Sequence, residues 1–124
     1  MFVFGPDVLV TYERTGGFAG IPEKVTVGVS GAAVVNGRKI TLDDAEMRGL
    51  RAALNGVVTT WSSTAGCDVA DHFTYTLAYR GYRATRCWLP SDWRAAVERL
   101  EALTRREAAT SRETLPGREA LTRR

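Results

Sequence analysis

Histidine is almost missing from this chain, since His72 is the only one among 124 residues. A single histidine excludes a histidine-rich metal site and a serine–histidine pair with a spare histidine ligand. Lysine is also rare: only Lys24 and Lys39 occur, so the net charge of +3 comes almost wholly from arginine. Because 14 acidic residues offset these charges, no concentrated basic face is indicated, and we expect no nucleic-acid partner.

Long hydrophobic runs are absent as well. A membrane-spanning helix needs about 20 apolar residues, and no segment of this sequence approaches that length. The first residues, Met1 to Asp7, lack the basic start and the long apolar middle of a secretory signal. We therefore expect a cytoplasmic protein without a membrane partner.

Cysteine is limited to Cys67 and Cys87. Without evidence of export, two cysteines are more often free thiols than a disulfide, and a bond requires Cα atoms within about 7 Å. The sequence therefore predicts free thiols. Cys67 lies near Asp68, Asp71 and His72, but this spacing matches no metal motif, so we expect neither a metal nor another cofactor.

Catalytic motifs are missing too. The segment Gly16-Gly17-Phe18-Ala19-Gly20 is followed by no Lys-Ser/Thr pair and opens no helix, so it is not a phosphate-binding loop. Asp43, Asp44 and Glu46 are better explained as first-turn acids of a helix than as a catalytic pair. We expect that this protein is not an enzyme.

Alternating hydrophobic and polar residues predict two hairpins. Residues 8–14 pair with residues 24–30, and residues 73–79 pair with residues 82–88 across the two-residue turn Arg80-Gly81. That turn fixes the register of the second hairpin. The expected pairs on its core face are Tyr79 with Tyr82, Leu77 with Ala84 and Phe73 with Trp88. A weaker turn is indicated at Asn36-Gly37.

Apolar residues at helical spacing predict two helices. The first covers residues 42–55 with Thr41 as its N-cap, and the second covers residues 92–106 after Ser91. The apolar stripe of the second helix consists of Trp93, Ala96, Val97, Leu100 and Leu103. At this length and with 44% hydrophobic residues, the chain is expected to form one α+β domain, with an antiparallel sheet of about four strands, the C-terminal helix packed across it and one shorter helix.

The last part of the chain repeats every six residues from Arg106 onward. A six-residue period gives no stable apolar stripe on a helix, and Pro116-Gly117 interrupts it. The expected division is a domain over residues 1–106 and a mobile or weakly helical tail over residues 107–124.

The aromatic residues of the second hairpin allow two interpretations. Tyr75, Tyr79, Tyr82 and Trp88, interleaved with arginines, suit a stacking platform for single-stranded nucleic acid. We favour the alternative that most of them form the face beneath the last helix. Arg86 is the charged exception on that face, and we expect it to pass Tyr75 to solvent or to pair with an acid.

An apolar, glycine-rich segment lies between the first two predicted strands. It runs Thr15-Gly16-Gly17-Phe18-Ala19-Gly20-Ile21-Pro22 and is longer than the two residues that a tight hairpin needs. The glycines permit positive φ or close approach of another backbone, and Phe18 among them suggests a contact surface. In the alternative interpretation, Phe18 and Ile21 fold back over one end of the sheet. Composition does not decide between the two interpretations.

The order of these landmarks resembles the emfourin family, small bacterial protein inhibitors of thermolysin-like zinc metallopeptidases such as protealysin. The resemblance covers about residues 8–105 and rests on Tyr12 to Ile21, on Asp71 to Leu77, and on Leu89-Pro90 before the helix that carries Leu100 and Leu103. The family's helix on a four-stranded antiparallel sheet agrees with the predicted elements. The chain departs from the family pattern at Asn36-Gly37, in its two cysteines and in its repeated tail.

The resemblance implies an inhibitor that binds the cleft of a thermolysin-like metallopeptidase non-catalytically through loop 15–22, and that is a monomer when free. The protease-binding residues that it implies are Gly16, Gly17, Phe18, Ala19, Gly20 and Ile21. Phe18 would enter the apolar pocket of the cleft. The resemblance assigns no residue to the peptidase zinc, and Glu23 is considered as one candidate carboxylate. The alternative is a non-inhibitory protein-binding module of the same fold.

Overall fold

A computed structural model describes residues 7–16, 22–70 and 72–113. In these residues one six-stranded sheet is accompanied by two helices, in the order β1 (Val8–Gly16), β2 (Glu23–Gly28), β3 (Ala32–Val35), β4 (Arg38–Thr41), α1 (Asp44–Leu54), β5 (Phe73–Tyr79), β6 (Tyr82–Arg86) and α2 (Arg94–Glu113). The α+β class is confirmed. The expected number of about four strands is too low, because Asn36-Gly37 forms a complete hairpin that adds β3 and β4 to the sheet.

The sheet has the strand order β4-β3-β2-β1-β5-β6, and every neighbouring pair is antiparallel. At the Asn36-Gly37 turn both residues have positive φ, which this dipeptide tolerates and a two-residue hairpin of this type requires. The predicted register of β5 and β6 is confirmed for Tyr79 with Tyr82 and for Leu77 with Ala84. The ladder ends at Arg86, so the predicted pairing of Phe73 with Trp88 does not form.

The core lies between one face of the sheet and the two helices. The sheet supplies alternate residues, as a half-buried strand requires, the helices supply their apolar stripes, and the turn before α2 supplies Trp93, so that all five predicted positions of the second helical stripe are buried. The buried apolar residues of these elements are Val10, Tyr12, Val25, Val27, Ala33, Val35, Met47, Leu50, Leu54, Leu77, Ala84, Trp93, Ala96, Val97, Leu100 and Leu103. The aromatic face of the second hairpin is core only in its middle, because Phe73 and Trp88 at its end are each 39% exposed.

Helix α1 has a later N-cap than the sequence predicts. Asp43, not Thr41, is the N-cap: its side chain accepts from the Glu46 backbone N–H at 2.7 Å, and the Glu46 carboxylate accepts from the Asp43 N–H at 2.9 Å. This reciprocal capping box satisfies two free N–H groups, whereas Thr41 is still paired in β4. A Cβ at Gly49 of this helix would meet the guanidinium of Arg99 in α2, the flexible end of a side chain that can move aside.

Helix α2 starts at Arg94 and continues through Glu113, so the predicted boundary between residues 106 and 107 lies within it. Arg106 holds this later part to the rest of the fold, because its guanidinium donates to the Glu46 carboxylate and to the Thr41 carbonyl. The remainder of the repeated tail, residues 114–124, lies outside the described residues. Within the described part of the chain, neither helix is long and apolar enough to cross a membrane.

The irregular segment between α1 and β5 is fixed along the edge strand β6. Ser63 N–H donates to the Thr85 carbonyl at 3.1 Å, and Thr85 N–H donates to the Ser62 hydroxyl at 3.0 Å. The buried indole of Trp93 donates to the Val58 carbonyl at 2.9 Å. The two bonds to Thr85 occupy backbone groups that an uncovered edge strand would leave unpaired.

Candidate functional site at the base of the glycine-rich loop

The glycine-rich loop connects the two central strands of the sheet, β1 and β2. β1 extends through Thr15 and Gly16, so these two residues of the predicted loop 15–22 belong to a strand. Arg14 is paired with Glu23 of β2, and Gly16 is paired with Phe73 of β5. Five other predicted binding residues lie outside the described residues: Gly17, Phe18, Ala19, Gly20 and Ile21. The two interpretations of Phe18, as buried or as a contact surface, therefore stay predictions. The loop base is therefore the part of the candidate site that the structure describes.

Gly16 occupies a position that no other residue type fits without strain. Its φ is +91°, and a Cβ built there would lie 2.6 Å from the backbone carbonyl oxygen of His72. Both observations require glycine, one through the backbone angle and the other through close approach of a neighbouring strand. The fold itself therefore requires glycine at position 16, independently of any ligand.

Arg14 connects four elements at the loop base. Its guanidinium donates to the Glu101 carboxylate of α2 at 2.8 Å, lies 3.9 Å from the Glu23 carboxylate of β2, and lies 4.9 Å from the ring centroid of Phe73 in β5. The arginine and both carboxylates are about three-quarters buried, so solvent screens these contacts less than at an open surface. Both ends of the loop are consequently anchored to the helix and to the neighbouring strand.

A buried tyrosine reinforces the same connection. Tyr12 is fully buried, and its hydroxyl donates to the Glu101 carboxylate at 2.5 Å. Burial, the hydrogen bond to Glu101 and the negative charge of Glu101 all raise the pKa of Tyr12, and the nearby Arg14 opposes them only in part. The phenol therefore stays protonated and keeps donating, which fixes β1 against α2.

Apolar surface continues from the loop base onto β5. Phe73 is 39% exposed although it pairs with Gly16, and its ring is tilted against that of Tyr75 at 6.2 Å between centroids.

Glu23, the candidate carboxylate for a peptidase zinc, is already engaged, because it accepts from the Asn36 amide at 2.8 Å and faces Arg14. The structure thus gives Glu23 a role in holding the loop base.

The prediction of free cysteines is wrong. Cys67 and Cys87 form a disulfide with their Cα atoms 5.1 Å apart. The sequence did not predict this pairing, because the two cysteines are 20 residues apart and meet only where the irregular segment folds onto the end of β6. His72 lies beside the disulfide, while Asp68 is on the same turn and Asp71 lies outside the described residues.

The Arg86 side chain does not reach solvent, and among the described residues it forms no ion pair with an acid, so the structure supports neither expectation for it. It is 1% exposed, its guanidinium lies 3.5 Å from the ring centroid of Trp61 and 4.8 Å from that of Trp93, and it donates to the Trp61 carbonyl at 2.9 Å. This desolvation lowers the pKa of Arg86. Three tryptophans surround it when Trp88, at 5.9 Å, is included.

The structure does not assemble the arginines and aromatics of the second hairpin into one platform. Arg83 is exposed on the opposite face of β6 from Arg86, because side chains alternate along a strand. Tyr75 and Tyr79 are partly buried against the core, and only Tyr82 at 58% and Trp88 at 39% are well exposed. Two of these four aromatic residues, Tyr75 and Tyr79, thus pack against the core, whereas the favoured interpretation placed most of the set beneath the last helix.

Comparisons with protein-family models, with curated proteins and with solved structures found no match to this chain. The site is therefore described by its own geometry: Gly16 at the end of β1, the largely buried contacts of Arg14 with Glu101 and Glu23, and the partly exposed Phe73 beside them.

Proposed function

We propose that this protein inhibits thermolysin-like, protealysin-like zinc metallopeptidases by binding their active-site cleft without catalysing a reaction itself. The proposal rests on the resemblance to emfourins across residues 8–105. The observation that carries it is the anchored loop base, where Arg14 links both loop-flanking strands to α2 and β5. Under this proposal the partner is a peptidase, and neither a cofactor nor nucleic acid takes part.

An anchored loop suits inhibition for an energetic reason. A flexible segment loses conformational entropy when a cleft orders it, and this loss weakens binding. A loop whose two ends are already fixed in paired strands loses less. The same strands would hold the two ends in place if the peptidase cut the loop, so that the fragments would not separate. The ion pair of Arg14 with Glu101 and the buried Tyr12 support this fixation.

Phe18 is the proposed anchor residue. Thermolysin-like enzymes have an apolar pocket for a large residue just after the cut bond, as the family resemblance implies, and a buried aromatic in a pocket is the usual centre of binding energy. Gly17 and Gly20 let the loop backbone approach the cleft walls. Phe73, exposed beside the loop base, would extend the contact onto β5.

Substitutions in the loop test this function directly. Inhibition constants against a thermolysin-like peptidase are measured for the oxidised wild-type protein and for Phe18→Ala and Gly16→Ala/Gly17→Ala variants. A central aromatic anchor contributes about 2 kcal/mol or more to binding, so Phe18→Ala is expected to weaken inhibition at least about 30-fold. Tyr82→Ala, which removes an equally large exposed ring at the far end of β5 and β6, is expected to stay within about twofold.

Unchanged potency in both loop variants, with their folds intact, would remove the loop from the mechanism. The alternative function, a non-inhibitory protein-binding module, is favoured by exposed aromatic surface beside Arg86, where Trp61 and Trp88 are 50% and 39% exposed. A protein that binds a partner through these residues and leaves peptidase activity unchanged would establish that alternative.

A further inference from the structure

Two sulfur atoms and an imidazole meet beside the loop base. The ligand atoms that Cys67, His72 and Cys87 offer all lie within 4.8 Å of one another. Thiolate sulfur and imidazole nitrogen form the ligand sets of many zinc sites, and soft sulfur ligands favour zinc over magnesium or calcium. In the oxidised protein the sulfurs are bonded to each other. In the reduced protein both become available to a metal.

The hydrogen bonding of His72 favours the ring tautomer that metal binding through Nε2 needs. Its Nδ1 lies 2.9 Å from the Val69 carbonyl oxygen. Because a carbonyl only accepts, Nδ1 must carry the hydrogen, and the lone pair of the neutral ring is then on Nε2. Histidines that bind zinc are held in this way, with the second ring nitrogen donating to a carbonyl or carboxylate. The backbone N–H of His72 donates to the same carbonyl at 3.3 Å and steadies the turn.

The surroundings supply an outer hydrogen bond and access from solvent. The Thr74 hydroxyl lies 3.9 Å from the Cys87 sulfur, where it can donate to a thiolate. The cluster opens onto a groove of about 440 Å³ whose lining includes Ser62, Ser63 and Thr64. An open groove provides both an entry path for an ion and room for a water molecule as fourth ligand.

We propose that the reduced protein binds one Zn²⁺ ion through Cys67, Cys87 and His72, with water completing a tetrahedral site. A dithiol reductant transfers two electrons and two protons to the disulfide and is itself oxidised to a disulfide. Zinc then displaces both thiol protons and forms two zinc–sulfur bonds. Such bonds, about 2.3 Å long, place the sulfurs about 3.8 Å apart, a separation that side-chain rotation provides across a Cα–Cα distance of 5.1 Å.

The experiment uses Co²⁺ as an optical probe for the zinc site. The full-length protein is reduced with a dithiol, separated from the reductant under nitrogen and titrated with Co²⁺. The expected result is a thiolate-to-cobalt charge-transfer band and the visible absorption of tetrahedral cobalt, both saturating at one equivalent and both abolished by stoichiometric Zn²⁺. The oxidised protein is expected to give neither signal.

Variants assign the signal to the proposed ligands. Cys67→Ser/Cys87→Ser is expected to lose the charge-transfer band, and His72→Ala to bind zinc more than tenfold more weakly, because loss of a direct ligand exceeds the tenfold or larger effect of an outer-shell change. Thr74→Val removes the hydroxyl at nearly constant volume and should weaken binding about tenfold. Thr64→Ala, in the same groove, is the control and should change affinity less than twofold.

Several results would overturn the proposal. They are a reduced protein without the charge-transfer band, an equal cobalt affinity for wild type and His72→Ala, and a reduced protein that is unfolded by circular dichroism and stays unfolded with zinc. The zinc site goes beyond the proposed inhibition and does not depend on it, since no peptidase is present in the assay.

Discussion

At the scale of single residues, the backbone at Gly16 carries the most direct prediction. Gly16→Ala is expected to lower the free energy of unfolding by more than about 2 kcal/mol, because positive φ alone costs an L-residue about 1–2 kcal/mol and the new Cβ would also meet the His72 carbonyl oxygen at 2.6 Å. Gly37→Ala is the control, since Gly37 has φ +86° but open space where the new methyl group would lie. Urea unfolding of both variants that gave equal losses would contradict the contact with His72.

Arg86 carries the second residue-scale prediction. Arg86→Lys is expected to destabilise the fold by about 2 kcal/mol, because the Arg86 guanidinium lies close to the rings of Trp61 and Trp93, and an ammonium group lacks the planar surface that packs on an indole. Arg83→Lys on the exposed face of the same strand should change stability by less than about 0.5 kcal/mol. Similar urea midpoints for the two lysine variants would show that stacking on the tryptophans adds no stability.

The surroundings of Arg86 also show where sequence reasoning at this scale ends. The alternation of β6 correctly places Arg86 on the core face. Its aromatic partners come from three separate parts of the chain: the irregular segment, the residues after β6 and the turn before α2. No local pattern links Trp61 to Arg86, so an arginine on an apolar face was expected to reach solvent or to pair with an acid instead.

At the scale of elements, the contact of β1 with α2 predicts a dependence of stability on pH. The pKa of Tyr12 is raised by burial and by Glu101, whereas the unfolded chain has a tyrosine pKa of about 10. Below that pH both states are protonated and the contact is fully present. Above it the unfolded chain releases a proton that the folded chain keeps, so the free energy of unfolding falls by about 1.4 kcal/mol per pH unit for this group.

Tyr12→Phe tests that dependence, because it removes the titrating hydroxyl and keeps the ring. Burial also raises the pKa of Tyr75, so the variant should retain part of the alkaline loss and show a shallower decline than the wild type. Urea unfolding is measured at several pH values on both sides of about 10. Parallel curves for the two proteins would mean that the buried phenol does not couple the strand to the helix through its proton.

The elements themselves were predictable where a turn fixed them. Arg80-Gly81 sets the register of β5 and β6 because only two residues connect the strands, and the structure has that register. The N-cap of α1 could not be predicted from the sequence, because the side chains of Thr41 and Asp43 both offer an oxygen. The choice depends on β4, which holds Thr41 in the sheet. The loop base was predicted only as a pair of strands, since the contacts of Arg14 with Glu101 and Phe73 join distant segments.

At the scale of the whole molecule, the disulfide predicts a large change on its removal. It closes a loop across 20 residues, and the chain-entropy treatment gives about 3 kcal/mol for a loop of this size. The free energy of urea unfolding of Cys67→Ser/Cys87→Ser, measured with a chelator present, should therefore be about 3 kcal/mol below that of the oxidised wild type. A difference under about 1 kcal/mol would show that the irregular segment is already held by its hydrogen bonds to β6.

The central claim is that the anchored loop occupies the cleft of a thermolysin-like metallopeptidase, and one titration tests it most directly. A fixed concentration of the peptidase is mixed with increasing amounts of the oxidised, full-length protein, and the remaining activity on a small peptide substrate is measured. The account predicts that activity falls steadily and is lost near one equivalent. Full activity at a large molar excess of this protein would contradict it.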